Sequence, residues 1–398
     1  MDITIQPGTL SGAVAAIPSK SQAHRMIICA ALADGETTLV CKETNRDIEA
    51  TVSCMNALGA NITPTTNGYR IVPIKTLASS ATVNCGESGS TLRFLLPVAA
   101  ALGVDTTFLM EGRLPERPLS PLWEEMERMG CTLSRPARNT VRCQGKLKAG
   151  KYTIPGNISS QYITGLLLAL PLLDGNSHIH ITGSLESKPY VDLTRQTIRK
   201  FGVFSTEDFI RGNQHYHSPG YLRVECDWSN AAFFLAAREL GNPVFVHDLD
   251  MDSVQGDRIV NSLLPKMRNA ISIDVSDIPD LVPILSVVAA AKSGAVFTNI
   301  QRLRIKESDR VASTMAMIEA LGGKAEATED TLTIHGTGLR GGIVDAVNDH
   351  RIAMSAAIAS TVCSQCVTIL GAQCVQKSYP KFWEEFSRTG GIYEQYLR

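Results

Sequence analysis

Polar clusters followed at once by apolar, Ala-rich runs recur five times along this chain. Each cluster contains Ser, Gly, Asp, Lys or Arg, and such residues begin helices, so each pair predicts a helix that starts at the cluster. Helix N-termini carry partial positive charge and unsatisfied N–H groups. Several of them beside Lys and Arg predict a site for a multiply charged anion, if the fold brings them together. The five pairs are 18–21 with 23–33, 86–90 with 91–102, 159–161 with 162–173, 306–310 with 311–321 and 348–351 with 352–361.

A second pattern marks the ends of amphipathic helices. Gly59, Gly130, Gly202 and Gly322 each follow a helical stretch and precede a short segment with strand character. Glycine suits the left-handed C-cap, so each copy predicts a helix that gives way to a strand. The predicted strands are 61–63, 132–134, 203–205 and 324–326, with a weaker fifth copy at 266–272. The first three copies are spaced by about 71 residues, which indicates an internal repeat.

Alternating apolar and polar positions predict further strands between these marks. The clearest are 177–182, 295–300 and 331–334, and a hairpin turn is expected at Thr66-Asn67-Gly68. Strands therefore alternate with helices along the whole chain. The predicted fold class is α/β or α+β with mixed sheets, and periodicity alone leaves the packing of the units open.

Composition narrows the class of protein. A chain of 398 residues is long enough for two domains, and 44% hydrophobic with 19% charged residues is typical of a globular protein. The formal net charge of -1 argues against nucleic acid and anionic membrane as partners, so any positive site must be local. Ten scattered cysteines indicate a reducing compartment. Without an export signal or an apolar run of membrane-spanning length, we expect a soluble, cytoplasmic protein.

Each candidate motif is ambiguous when it is taken alone. Lys20, Ser21 and Arg25 could bind an anion, or they could be solvated residues of a capped helix. The 86–90 loop lacks the spacing of known phosphate-binding loops. The acids near 306–310, with Asp280, could serve as general acid and base, or they could simply pair with neighbouring arginines. Cysteine and histidine spacing matches no zinc pattern, so no metal site is predicted.

Seven phrases taken together are far more specific. In order along the chain they resemble the motifs of the 5-enolpyruvylshikimate-3-phosphate synthase family, over essentially the whole length. The resemblance implies an α/β fold of two similar domains, each with three copies of a βαβαββ unit. The implied domains are 19–226 and 1–18 joined to 227–398, with the active site in the cleft between them. The phrases are PSKSQAHR (18–25), ERPL (116–119), SSQY (159–162), SKPYVD (187–192), KESDR (306–310), NDHR (348–351) and KSYP (377–380).

The resemblance also implies a function. Members of the family transfer the enolpyruvyl group of phosphoenolpyruvate to the 5-hydroxyl of shikimate 3-phosphate and release phosphate, in the route to chorismate and aromatic amino acids. It implies no metal or organic cofactor, these two small molecules as the only partners, and a monomer. Asp280 would accept the hydroxyl proton, while Glu307 and Lys20 would handle proton transfer at the methylene carbon.

The implied ligand contacts divide between the two substrates. The residues matched to the family's shikimate 3-phosphate contacts are Lys20, Ser21, Arg25, Ser159, Ser160, Gln161, Ser187, Asp280 and Lys306. Those matched to the phosphoenolpyruvate contacts are Lys20, Gly89, Arg117, Gln161, Arg310, Arg351 and Lys377.

Some positions depart from the family pattern. Glu87 and Arg302 stand where many members have Asn, and Phe94 stands where others have Pro. The stretch 256–279 is shorter than usual, so we expect one trimmed repeat with Asp280 retained just after it. These departures concern local contacts and inhibitor sensitivity rather than the fold.

Two other functions remain as alternatives. The related enolpyruvyl transferase that acts on UDP-N-acetylglucosamine typically follows its early Lys with Asn and carries a Cys in the loop matching 112–117. Here Ser21 follows Lys20, and that loop has no Cys. A catalytically silent phosphometabolite-binding protein is the second alternative, and the presence of both Asp280 and Glu307 argues against it.

Overall fold

A computed structural model describes residues 1–396 and divides the chain into two compact units. The first, which we name the inserted unit, comprises Pro18–Glu225. The second, the split unit, combines Met1–Ile17 with Cys226–Arg398. These bounds differ by one residue from the domains expected from the sequence.

Helices and strands alternate throughout residues 1–396, which form twelve α-helices and 21 strands. The helices are α1 Lys20–Ala31, α2 Arg46–Ala57, α3 Gly89–Leu102, α4 Leu122–Arg128, α5 Ser160–Ala169, α6 Lys188–Lys200, α7 Trp228–Glu239, α8 Val260–Lys266, α9 Val282–Ala291, α10 Arg310–Ala320, α11 His350–Ala359 and α12 Phe382–Arg388. The strands are β1 Asp2–Ile5, β2 Gly12–Ala15, β3 Thr37–Val40, β4 Asn61–Thr65, β5 Gly68–Val72, β6 Ser80–Asn84, β7 Asp105–Leu109, β8 Thr132–Ser134, β9 Thr140–Gln144, β10 Lys151–Pro155, β11 Ser177–Thr182, β12 Phe209–Ile210, β13 Tyr221–Arg223, β14 Val244–His247, β15 Ile271–Asp274, β16 Ala295–Thr298, β17 Lys324–Ala327, β18 Thr331–His335, β19 Gly342–Asp345, β20 Val367–Leu370 and β21 Tyr393–Tyr396.

The inserted unit contains three sheets built to one plan. Their strand orders are β13-β3-β5-β4, β6-β7-β9-β8 and β10-β11-β12. In each sheet the first two strands run parallel and the third is antiparallel to the second. The repeat predicted from the spacing of helix ends is therefore a repeat of supersecondary structure.

The split unit repeats the plan with one reduced sheet. Two of its sheets have four strands, in the orders β19-β20-β1-β21 and β15-β16-β18-β17. The third sheet, β14-β2, has two strands among the described residues. Helix α8 is followed directly by β15, which belongs to the neighbouring sheet, so a terminal hairpin has no residues to form it. The repeat expected to be trimmed at 256–279 is the one that contains this sheet, because the missing hairpin would lie between α8 and β15.

Six helices are buried on nearly all sides and form the cores of the two units. They are α1, α3 and α5 in the inserted unit and α7, α9 and α11 in the split unit. Their sequences are apolar around most of the helix surface, as expected for helices without a solvent face. The polar residues that begin them are therefore held on a rigid apolar frame.

The five helix starts predicted from the polar clusters are confirmed. Each helix is capped by a side-chain oxygen that accepts a backbone N–H of the first turn. The capping residues are Ser19, Ser88, Ser159, Asp309 and Asp349, at α1, α3, α5, α10 and α11.

Three of the four predicted helix-to-strand changes are confirmed, and one is wrong. Strands β4, β8 and β17 follow the glycine that ends the preceding helix. Residues 203–205 form no strand, and only Ser205 makes an isolated bridge, to Ile210. The side chain of Gln214 accepts the N–H of Phe204 at 2.9 Å and donates to its carbonyl at 3.0 Å. Because both backbone groups are taken by a side chain, no partner strand can pair with them.

The strands and the hairpin predicted from alternating positions are confirmed. Strands β11, β16 and β18 occupy the predicted alternating segments, and the β4–β5 hairpin turns at 66–67. The ten cysteines are all free thiols. Within residues 1–396, none of the helices combines the length and the apolar character needed to span a bilayer.

Candidate functional site

Helix α1 of the inserted unit begins at Lys20, the first of the predicted site residues. The Lys20 ammonium lies 3.0 Å from the Asp47 carboxylate, in the first turn of α2. Both side chains are largely buried, at 16% and 17% exposed. A lysine at a helix N-terminus is repelled by the helix dipole, and Asp47 offsets that repulsion. Sequence reasoning missed Asp47, although an acid in a first helical turn is a recognisable signal.

Arg25 lies one turn further along α1 and is almost fully buried, at 2% exposed. Its guanidinium lies over the Phe94 ring, 4.9 Å from the ring centroid. Burial lowers the pKa of Arg25 to about 10, so the side chain stays charged at neutral pH. Its hydrogen bonds join α1 to α5 and α6: it donates to the carbonyl oxygens of Ser21 (2.5 Å) and Tyr190 (3.0 Å) and to the hydroxyls of Thr164 (3.2 Å) and Thr194 (2.8 Å).

Two guanidinium groups lie against the backbone where α3 begins. A Cβ atom on Gly89 would stand 2.5 Å from Arg93 Nη1 and 2.8 Å from Arg117 Nη1. Real Cβ contacts are not this short, so only glycine lets both arginines approach. Arg93, which is 3% exposed, was not among the predicted site residues. Its spacing of four from Gly89 puts both on one helix face, which is the signal that was overlooked.

Gln161 is held by the same group of residues. Its Oε1 accepts from Arg93 Nη1 at 3.1 Å, and its Nε2 donates to the Ser90 hydroxyl at 3.0 Å. Ser159 accepts the Gln161 N–H as the α5 cap. The predicted residues Gly89, Arg117 and Gln161 therefore surround one side chain, that of Arg93.

Ser160 and Ser187 are buried at the starts of α5 and α6. They are 5% and 1% exposed. Ser187 has φ 55°, in the left-handed region that non-glycine residues rarely adopt. Such a conformation costs about 1–3 kcal/mol and often marks a functional position.

The split unit gathers a second cluster around Arg310, which is 1% exposed. Its three guanidinium nitrogens each contact a different carboxylate. They lie 2.7 Å from Asp280, 2.6 Å from Glu307 and 2.9 Å from Asp349. Asp349, fully buried, also caps α11 and accepts from Ser308 at 2.9 Å. The buried cation they share stabilises Asp280 and Asp349 as carboxylates.

Asp280 bridges the two arginines of this cluster. Arg351 Nη2 donates to its second oxygen at 2.7 Å, and Lys306 lies 4.0 Å away. Burial raises the pKa of the Asp280 carboxyl, but Arg351, Arg310 and Lys306 outweigh burial and hold that pKa well below its usual range. In this arrangement Asp280 is ionised, and each of its carboxylate oxygens accepts a guanidinium N–H.

The remaining predicted cations lie beside the same helix starts. Burial lowers the pKa of Lys306 to about 8, Asp280 opposes this, and Arg302 and Arg310 add to it. Arg351 also donates to the Ser229 hydroxyl at 3.1 Å. Lys377, the last of the predicted residues, is 7% exposed and donates to Asn348 O at 2.9 Å, just before α11.

The predicted residues thus divide between the two units. The inserted unit holds Lys20, Ser21, Arg25, Gly89, Arg117, Ser159, Ser160, Gln161 and Ser187. The split unit holds Asp280, Lys306, Glu307, Arg310, Arg351 and Lys377. Within residues 1–396, no three His, Cys, Asp or Glu side chains are grouped as a metal site requires.

Comparison with known proteins identifies the family. A family model described as EPSP synthase (3-phosphoshikimate 1-carboxyvinyltransferase) matches residues 5–386. A Clostridium beijerinckii protein named 3-phosphoshikimate 1-carboxyvinyltransferase is 41% identical over 430 aligned positions, covering 99% of each chain. The protein of the same name from Clostridium perfringens strain 13 is 42% identical over 418 positions, covering 98% of each chain. A solved EPSP synthase from Acinetobacter baumannii has a TM-score of 0.81 at 25% identity, covering 99% of this chain and 100% of that one.

These matches agree with the fold described above. The Clostridium beijerinckii alignment has more positions than this chain has residues, as expected if one repeat is trimmed. The two-domain inverse α/β fold is confirmed by the likeness to the solved structure. The chain therefore belongs to the EPSP synthase (3-phosphoshikimate 1-carboxyvinyltransferase) family.

Proposed function

We propose that this protein transfers the enolpyruvyl group of phosphoenolpyruvate to the 5-hydroxyl of shikimate 3-phosphate and releases phosphate. The observation that carries the proposal is the cluster in which Arg310 and Arg351 hold Asp280 between them. A carboxylate among guanidinium groups is a base whose strength an incoming anion can change. The family match supports the same reaction.

Shikimate 3-phosphate is assigned to residues of both units. Buried cations at helix starts suit its phosphate, and buried serine hydroxyls suit its ring hydroxyls. The set is Lys20, Ser21, Arg25, Ser159, Ser160, Gln161, Ser187, Asp280 and Lys306.

Phosphoenolpyruvate is assigned to the arginine-rich parts of the two groups. Its phosphate and carboxylate together need several N–H donors, and guanidinium groups bind such anions in a bidentate way. The set is Lys20, Gly89, Arg117, Gln161, Arg310, Arg351 and Lys377. Both sets therefore draw on residues of both units.

The reaction follows from how phosphoenolpyruvate would change the Arg310 cluster. Its carboxylate competes with Asp280 for the N–H groups of Arg310 and Arg351. Losing those donors raises the pKa of Asp280, which can then accept the proton of the attacking 5-hydroxyl. The hydroxyl oxygen bonds to C2, and Glu307, with Lys20, delivers a proton to the methylene carbon. The tetrahedral adduct then loses phosphate as the methyl group returns a proton to Glu307 or Lys20, which leaves the enolpyruvyl ether.

A phosphate-release assay tests this function. The protein with both substrates should release phosphate, and omitting shikimate 3-phosphate should abolish release. Release with UDP-N-acetylglucosamine in its place would favour the related transferase, and no release with either acceptor would favour a silent binding protein.

An Asp280→Asn variant tests the proposed base. We expect it to keep shikimate 3-phosphate binding and to lose most turnover, since an amide cannot take the hydroxyl proton. Asp345→Asn is the matched control, because Asp345 is an exposed acid of the same unit that accepts only a local backbone N–H at 2.8 Å. Near-normal turnover in Asp280→Asn would remove its assignment as base.

The same proposal includes a cytoplasmic protein that acts as a monomer with its two substrates as partners. Ten free thiols support a reducing compartment. Light scattering after size exclusion should give a mass near the chain mass of 43.0 kDa, and a mass of twice that value would contradict the monomer.

A further inference from the structure

A chain of buried hydrogen bonds joins the second turns of α1 and α2 to the start of α3 in the inserted unit. His24 Nδ1 lies 2.7 Å from the Thr51 hydroxyl, which lies 2.7 Å from the Thr91 hydroxyl. Thr91 donates its hydroxyl hydrogen to Ser88 Oγ at 2.8 Å. All four side chains are at most 1% exposed. None of the four is among the residues assigned to a substrate above.

The donor at one end sets the direction of the whole chain. Thr91 has one hydroxyl hydrogen, and its acceptors are Ser88 Oγ at 2.8 Å and the more distant Asp47 carbonyl at 3.4 Å, so toward Thr51 it can only accept. Thr51 therefore donates to Thr91 and must accept from His24. The hydrogen of a neutral His24 ring accordingly lies on Nδ1, and Nε2, which has no hydrogen-bond partner among the described residues, keeps a lone pair. The opposite tautomer would leave a buried N–H donor without an acceptor.

The His24–Thr51 hydrogen bond lies one helical turn from the Lys20–Asp47 ion pair. Lys20 and His24 are four residues apart on α1, and Asp47 and Thr51 are four residues apart on α2. Residues at this spacing share a helix face. The two helices are therefore joined by two adjacent contacts, Lys20 to Asp47 at 3.0 Å and His24 to Thr51 at 2.7 Å. Sliding α1 along α2 by one residue would break both contacts.

The other end of the chain lies beside the arginine group. Ser88 caps α3 and immediately precedes Gly89, against which Arg93 and Arg117 pack. The hydrogen-bond chain thus connects α1, which carries Lys20 at its start, with the start of α3, which carries Gly89. Both residues are assigned to phosphoenolpyruvate in the proposed function.

We propose that His24 is a positioning residue, which acts through Thr51 and Thr91 to hold Lys20 and the Gly89 backbone at the spacing that phosphoenolpyruvate requires. This inference rests on the proposed function for its substrate, but the hydrogen-bond chain itself does not depend on it. A positively charged ring at this position would also repel the cations of its own helix. Burial, Lys20 and Arg25 lower the pKa of His24 well below its usual value, in keeping with a neutral ring at pH 7.

Thr51→Val, Thr51→Ser and Thr197→Val test the role in the reaction. Valine removes the hydroxyl at nearly constant volume, and serine retains it. Thr197 is the matched control, because it is equally buried in the same unit and its hydroxyl donates only to Leu193 O of its own helix, at 2.8 Å. We expect the KM for phosphoenolpyruvate to rise about tenfold or more in Thr51→Val. In Thr51→Ser and Thr197→Val it should change less than about threefold.

Two results decide between positioning and a merely structural role. If Thr51→Val and Thr197→Val lower the melting temperature alike but only Thr51→Val raises the KM, positioning is supported. If the two variants show the same KM, or if Thr51→Val changes kcat alone, the proposal is overturned.

Nitrogen-15 NMR spectroscopy of the histidine side chains tests the hydrogen-bond chain without any measurement of turnover. The wild-type spectrum, with His24 identified by its loss in His24→Gln, should show a neutral ring protonated on Nδ1 at pH 7. A ring protonated on Nε2, or on both nitrogens, would refute the hydrogen-bond chain. A protein that passes this test but shows no phosphate release would instead refute the proposed function, so the two failures are distinguishable.

Discussion

Removing the Arg310 cation should reveal how strongly the split unit depends on its buried charge cluster. Arg310→Gln leaves three carboxylates without the guanidinium they share. Asp280 would keep Arg351, and Glu307 is 27% exposed and can be hydrated. Asp349 is 0% exposed and would keep only neutral hydrogen-bond donors among the partners described above. The loss of stability should therefore come mainly from Asp349.

The expected size of the effect follows from this burial. Removing one partner of a buried ion pair typically costs about 3–5 kcal/mol. For a unit of this size that corresponds to a fall of about 6–20 °C in the melting temperature of its transition. The matched control is Arg388→Gln, in the same unit, whose ion pair with Glu385 is 52% exposed on the arginine side. A screened surface pair contributes only about 0.2–1 kcal/mol, so the melting temperature of the control variant should change little.

The pH dependence gives a second, independent check. In the wild-type protein, burial raises the pKa of Asp349 but Arg310 and His350 outweigh it and lower the pKa, so this carboxylate stabilises the fold above about pH 4. Without Arg310, the largest opposing charge is gone and only His350 still opposes burial, so we expect the pKa of Asp349 to rise. The variant then gains a proton on folding as the pH falls, which recovers stability. The difference in unfolding free energy between wild type and variant should be largest at neutral pH and should narrow as the pH falls toward 4.

Urea unfolding followed by far-ultraviolet circular dichroism, at several pH values, measures the loss of unfolding free energy and its pH dependence. Equal losses for Arg310→Gln and Arg388→Gln would show that the buried cluster contributes no more than a surface pair. A difference that stays constant from pH 7 to pH 4 would show that Asp349 is not the group responsible.

Two further predictions concern the proposed ligand contacts. Gly89→Ala would place a methyl group 2.5 Å from Arg93 Nη1 and 2.8 Å from Arg117 Nη1, so both guanidinium groups must move. We expect the KM for phosphoenolpyruvate to rise by about tenfold or more, while the affinity for shikimate 3-phosphate changes little. An unchanged KM would show that neither arginine contacts phosphoenolpyruvate. Because the pKa of Lys306 is lowered to about 8, the affinity for shikimate 3-phosphate should fall about tenfold from pH 7 to pH 9 as the ammonium loses its proton. Calorimetry measures this affinity, which in Lys306→Arg should stay constant from pH 7 to pH 9. An equal fall in affinity in this variant would assign the pH dependence to another group.

Much of the fold was predictable because its signals are local. Each of the five helix starts has its capping oxygen within three residues of the N–H that it accepts, so the sequence window contains both partners. The repeat was visible for the same reason, since four of its five copies end a helix at a glycine. The strand expected at 203–205 failed because Gln214, nine residues or more away, takes the backbone of Phe204. A side chain from a separate segment leaves no trace in the alternation of the strand itself.

The site was less predictable, because its contacts cross long stretches of chain. The family motifs gave Arg25 as a substrate contact, which remains a prediction. Nothing in those motifs indicated that its guanidinium is already bonded to Thr164 and Thr194, on two other helices. Asp349 was within a recognised phrase, yet its ion pair with Arg310 joins residues 39 apart in sequence. Local pattern predicts which residues are polar at a helix start, and tertiary packing decides which of them neutralise one another.

The two groups neutralise their cations in different ways, and this difference bears on the order of events. Arg25 is held by hydroxyl and carbonyl oxygens, which leave its charge uncompensated and available to an anion at short range. Arg310 and Arg351 are held by carboxylates, so an anion must compete with Asp280 for their N–H groups. In the proposed reaction the first arrangement binds without disturbing a proton acceptor, whereas the second raises the pKa of Asp280 only as phosphoenolpyruvate arrives. The base would then gain strength only when the carbon it serves is in place.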